Sequence, residues 1–141
     1  EKSFSSDFLT LYKKFIALNE FISKGKGKKI IELNKRVLNI VTIEGKKMQI
    51  NDYIEKDLLE KEHEKILVDS LDTLKNKIEN EQEDFKSVLN IISNLHTPLN
   101  NFFDNVMVNV DDVKIKSNRL SILKKVSDTL KIYADFSQIQ K

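Results

Sequence analysis

The chain has 141 residues, 40% of them hydrophobic, with one Pro, three Gly and no Cys, a length that suits one domain with its own core over residues 1–141. The lack of Cys excludes a disulfide framework or a thiolate metal site and fits a reducing cytoplasm, and no 18-residue apolar run could span a membrane. The net charge of +2 divides into +6 over residues 1–48, −7 over 49–104 and +3 over 105–141, so ends that meet in space would form a positive face that attracts phosphate.

The spacing of Phe8, Leu11, Tyr12, Phe15, Ile16 and Ile22 predicts a first helix over about 6–22 with that face buried and Ser5, Ser6 or Asp7 as its cap. The run Lys24-Gly25-Lys26-Gly27-Lys28-Lys29 predicts a flexible, exposed basic loop. A second helix from Lys28 to Val41 would bury Ile30, Leu33, Val37, Ile40 and Val41, leaving Asn34, Lys35 and Arg36 at its edge and a turn over 42–48. A short helical piece is expected over 52–60. A longer helix over 62–80 would bury Ile66, Leu67, Leu71, Leu74 and Ile78 beneath a charged, solvated face.

A fourth segment, 83–95, places Phe85, Val88, Leu89, Ile92 and Leu95 inward. Thr97-Pro98 predicts a new helix start, with Thr97 as cap and Pro98 in the first turn. That helix carries Leu99, Phe102, Phe103, Val106 and Met107 and ends near 108–112. The last helix is expected from Ser117 to Asp135, capped by Asn118 and burying Leu120, Leu123, Val126 and Leu130 with Ile132 or Tyr133. The expected fold is all-α, an antiparallel bundle of five to six helices.

Residues that carry chemistry are sparse. His63 in Glu62-His63-Glu64 has no second His four residues away, which favours a surface helix over a metal ligand. Gly25 and Gly27 follow no predicted strand and precede no Lys-Ser/Thr, so they do not form a phosphate-cradling loop. No nucleophile elbow or paired-carboxylate pattern is present. No catalytic residue, metal or cofactor is expected in this chain.

Residue order is more informative than composition in three places. They are Glu32-Leu33-Asn34-Lys35-Arg36-Val37-Leu38-Asn39-Ile40, then Leu58-Leu59-Glu60 with Glu64-Lys65 and Leu67, and then Phe102-Phe103-Asp104-Asn105-Val106-Met107-Val108 followed by Asp111-Asp112, Asn118-Arg119-Leu120 and Ala134-Asp135-Phe136. In this order they resemble the C-terminal end of bacterial glycyl-tRNA synthetase beta subunits, whose last domain is a DALR-type anticodon-binding module. The Glu1 start and a first Met at Met48 read as a piece of a longer protein. The resemblance implies a parent ligase of alpha and beta subunits that uses ATP and Mg2+ elsewhere to join glycine to its tRNA. This piece would be non-catalytic and cytoplasmic, with the tRNA anticodon arm and the synthetase alpha subunit as partners and no membrane.

Such a module needs cations for phosphates and groups that stack on or bond to unpaired bases. The candidate tRNA-binding residues are Lys24, Lys26, Lys28 and Lys29 in the loop, Asn34, Lys35 and Arg36 on the second helix, and Arg119 on the last. Against this, charged-loop lysines can be merely solvated, and Arg36 or Arg119 can pair with Asp104, Asp111 or Asp112 to tie helices together. Phe102 and Phe103 read as core rather than stacking platforms. The competing functional class is a helical protein-interaction domain that docks partner subunits.

Overall fold

A computed structural model describes residues 4–23, 25–80 and 85–134. Six α-helices follow in order: α1 (Phe4–Ser23), α2 (Gly25–Gly45), α3 (Glu62–Asn80), α4 (Phe85–Ser93), α5 (His96–Asn105) and α6 (Val113–Ala134), with a single 3-10 turn at Lys56–Leu58. There is no strand among the described residues. The expected all-α bundle is therefore present. Lys24, Glu83, Asp135 and Phe136 lie outside the described residues, as do the side chains of Ile78, Phe85, Ile132 and Tyr133.

The centre of the fold is α6. Six consecutive side chains, Asn118, Arg119, Leu120, Ser121, Ile122 and Leu123, are buried, and Val126 and Leu130 continue the core. A helix buried on most of its circumference must be surrounded by others, and α6 packs against α2, α3 and the 3-10 turn. The same core takes in Ile30 and Val37 from α2, Leu67, Val68, Leu71 and Leu74 from α3, Val88 and Ile92 from α4, and Leu99 and Phe102 from α5.

The structure corrects the expected boundaries, each for a local reason. The basic run is helix rather than loop: α2 begins at Gly25, whose φ of 66° supplies the left-handed turn after α1. Gly27 is buried against α1 so closely that a Cβ there would sit 1.9 Å from the Phe21 carbonyl oxygen. At its other end α2 continues to Gly45, taking in the first part of the expected turn, and residues 52–60 are irregular except for the 3-10 turn, with Glu55 and Leu59 extended on either side of it. The first helix starts at Phe4, ahead of the proposed Ser-Ser-Asp cap.

Thr97 is not a cap. Leu95 precedes α5 in helical conformation with no side-chain cap, and Pro98 sits within the first turn, where its missing N–H costs nothing. The helix stops at Asn105 because Val106 turns extended, at φ −118° and ψ 122°, so Val106 packs in the core beyond the helix end. Asn118 is not a cap either. Asp112 caps α6, its Oδ1 accepting from the N–H groups of Lys114 (3.0 Å) and Ile115 (3.3 Å).

Asn118 instead lies inside α6 and holds the extended segment by both polar groups of one residue. The Glu55 N–H donates to Asn118 Oδ1 at 2.8 Å, and Asn118 Nδ2 donates to the Glu55 carbonyl at 3.0 Å. One amide side chain thus does for Glu55 what a neighbouring strand would do.

Two expected apolar faces also differ. Ile66 is 40% exposed, and the α3 core face runs through Leu67, Val68, Leu71 and Leu74. The predicted inner face of α1 is open: Phe8, Leu11, Tyr12, Phe15 and Ile16 are all exposed, while the helix is anchored by Leu18 and by Phe21, which packs against the core. Periodicity marks a stripe as apolar but does not supply the element that covers it.

Candidate nucleic-acid interface

Whether the basic ends of the chain make one positive face depends on which cations are already paired. In α6, Lys116, Arg119 and Lys124 are. Lys116 Nζ lies 3.0 Å from Glu44 at the end of α2, and Lys124 bonds Asp52 in the connection between α2 and α3. Lys116, and more weakly Lys47, hold the Glu44 carboxyl below its usual range, and Lys124 does the same to Asp52.

Arg119 is the most committed of all. Its Nε meets Glu64 Oε1 at 3.1 Å, Nη2 meets Glu64 Oε2 at 3.3 Å and Glu60 Oε1 at 3.4 Å, and Nη1 donates to the Met107 carbonyl at 2.7 Å. Arg119 is 3% exposed and Glu64 fully buried. The same Glu64 carboxylate accepts from the N–H groups of Glu60 (3.0 Å) and Lys61 (2.8 Å), closing the α3 N-terminus from its third helical position. Arg119 therefore knots α3, the α5–α6 connection and α6 together. Its partners are glutamates rather than Asp104, Asp111 or Asp112, and it presents no face to a phosphate.

The remaining candidates divide along α2. Asn34 is 6% exposed, on the inner face between Ile30 and Val37, where a base has no access. Its Oδ1 has no hydrogen-bond partner among the described residues. Lys26, Lys28, Lys29, Lys35 and Arg36 are exposed and, among the described residues, form no ion pair. At 3.6 residues per turn, Lys28, Lys35 and Asn39 share one side of the helix, with Lys29 and Arg36 beside them.

Arg36 lies over the half-buried ring of Phe103, 4.2 Å from its centroid, and Phe103 meets the fully buried Phe102 edge to face at 6.1 Å. This fixes a cation on the surface by stacking rather than by an acid, so its charge is not neutralised. Beside it Lys35, Leu38, Asn39 and Thr42 line a shallow depression. At the helix start, Lys26 lines a groove with Glu20 of α1 and Asn90 and Ser93 of α4.

His96 belongs to this end of the molecule. Its pKa is lowered first by burial and then by the charges of Lys29 and Lys26. Sequence reasoning passed over His96, because the chain folds it against α2 only through the α4–α5 turn. No local signal near His96 announces that contact.

Comparison with known proteins agrees with this geometry. The profile of the family described as "DALR anticodon binding domain" matches residues 30–136. The chain is 33% identical over 128 residues to the glycine–tRNA ligase beta subunit of Rickettsia africae, covering 89% of this chain and 19% of that protein. It is 33% identical over 139 residues to that of Rhodospirillum centenum, covering 95% and 20%, and 35% identical over 126 residues to that of Rickettsia bellii, covering 89% and 18%. The chain thus spans about a fifth of the length of these relatives. By the extent of the profile match and in keeping with its all-α fold, this chain belongs to the DALR anticodon binding domain family.

Proposed function

We propose that the chain receives the anticodon arm of a glycine tRNA as the anticodon-binding part of a glycine–tRNA ligase beta subunit. The observation that carries this is the exposed group of α2 cations: Lys26, Lys28, Lys29, Lys35 and Arg36 form no ion pair among the described residues, whereas Lys116, Arg119 and Lys124 of α6 are tied to carboxylates of the fold. Phosphates supply the counter-charge such a row lacks, and releasing their condensed ions drives association. Arg36 over Phe103 offers a stacking position for an unpaired base, and Asn39 beside it offers a polar edge.

This part supplies binding only. Formation of the glycyl ester, with its ATP and Mg2+, belongs elsewhere in the parent assembly with the alpha subunit, in the cytoplasm, and residues 1–141 act as one domain. Among the described residues no helix is long and apolar enough to cross a membrane. Titration of the chain with glycine tRNA at low salt tests the reading: affinity should fall steeply with salt and weaken when anticodon bases are changed. Binding indifferent to the anticodon would refute it.

A further inference from the structure

The amino-terminal half of α1 carries a bare apolar face. Phe8, Leu11, Tyr12, Phe15 and Ile16 are 62%, 66%, 52%, 42% and 40% exposed, and Leu9 beside them is 51% exposed. They recur at three- and four-residue spacing, so they form one stripe, and Phe8 stacks on Tyr12 with ring centroids 6.4 Å apart. A shallow groove of about 300 Å³ opens along it, between Tyr12 and Ile16 of α1 and Lys86 of α4. A contiguous patch of this kind marks an interface rather than ordinary surface.

Two observations indicate what covers it. The family profile starts at residue 30, after α1, whereas similarity to the Rhodospirillum centenum beta subunit extends over 139 residues and so includes α1. The helix thus lies outside the profile match but within the part of the chain that is similar to the ligase subunit. About four fifths of each relative lies outside the matched part. The stripe itself is apolar and aromatic, the composition of a packing surface rather than of a phosphate-binding one.

We infer that the apolar face of α1 is an intramolecular seam, buried against another part of the same beta-subunit polypeptide. The seam fixes the orientation of α2's cationic row relative to the remainder of the subunit, because α1 is locked to α2 at Gly27 and Phe21. The inference rests on the beta-subunit reading, and its test is independent of tRNA.

The test uses the full-length beta subunit, without alpha subunit or tRNA, carrying Leu11→Cys or Phe15→Cys, with Tyr53→Cys as the exposed control (60% exposed). Maleimide labelling is followed by mass spectrometry of the peptide concerned. Labelling at 11 and 15 should be about tenfold or more slower than at 53, as expected when access needs local opening. Equal rates would overturn the inference. Slowing that appears only when the alpha subunit is added, or only as beta-subunit concentration rises, would also overturn it, in favour of a subunit interface or a second copy. Amide exchange over residues 8–16 of the unsubstituted full-length chain guards against a misfolded variant: protection there supports the seam, and exchange as fast as at an exposed helix end contradicts it. The tRNA affinity of the same variants reads the RNA proposal separately.

Discussion

Replacing Arg119 by Met removes a buried cation while keeping much of its aliphatic volume. The variant leaves Glu64 fully buried with no partner for its charge, apart from the two backbone N–H groups of Glu60 and Lys61, and leaves the Met107 carbonyl without its 2.7 Å donor. Stranding one member of a buried ion pair costs about 3–5 kcal/mol. With a urea m-value of roughly 2 kcal/mol/M, a loss of about 4 kcal/mol lowers the unfolding midpoint by about 2 M. Urea unfolding followed by far-ultraviolet circular dichroism gives that shift directly.

The double variant Glu64→Gln/Arg119→Met should recover part of the loss, because it no longer buries a lone charge. The two sites should therefore couple by about 1–3 kcal/mol in a double-mutant cycle. A single-variant cost below about 1 kcal/mol, the range of an exposed pair, would refute the description of Arg119 as a buried knot.

Gly27→Ala should destabilise by about 1–3 kcal/mol through the clash with the Phe21 carbonyl, reversing the usual gain from Gly to Ala inside a helix, and a raised melting temperature would contradict the packing described. The folded-state pKa values of Glu44 and Asp52 lie below their unfolded values, so both contribute stability that is present above those values and lost as pH falls through the folded ones. The loss should appear below about pH 4.5 for Glu44 and below about pH 3.8 for Asp52, and Asp52→Asn should reduce the acid sensitivity of the unfolding midpoint in the lower range. At the other extreme, Lys124 has a raised pKa, so its contribution is full below the unfolded value and fades as pH rises through the folded one; Asp52→Asn should remove that alkaline loss as well. Lys29→Gln removes one of the charges that depress His96, so imidazole resonances followed by NMR should show the His96 pKa rising, and no change would separate His96 from the cationic cluster.

The helices were legible because a 3.6-residue apolar period survives in α2 to α6, where Ile30, Val37, Leu71, Leu99, Leu120 and Leu123 are buried as expected. What failed were inferences that needed knowledge of the neighbour. The Gly-Lys run looks like a loop in isolation, yet Gly27 is small because α1 crosses close against it, and the lysines are then the exposed side of a helix. Asn118 is a plausible cap by type, yet its amide is consumed by Glu55, 63 residues away.

The site followed the same division. Lys26, Lys28, Lys29, Lys35 and Arg36 stand exposed, as their charge demands. For Arg119 and Asn34 the residue type suggested an RNA contact, but burial decided otherwise, and burial depends on long-range packing. The α1 stripe shows the converse: its period is strong, but the element that would cover it is not among the described residues.

Salt dependence of tRNA binding in the Lys35→Glu/Arg36→Glu chain tests the central claim most directly, with circular dichroism confirming an intact fold. If five α2 cations contact phosphate, log K against log salt should slope at about −3.5 to −4.5 in the unsubstituted chain, and the double reversal should flatten it by about 1.4 to 1.8. A weakened affinity with that flattened slope is the result this account predicts. An unchanged affinity and slope in a folded variant would place the RNA somewhere other than on α2.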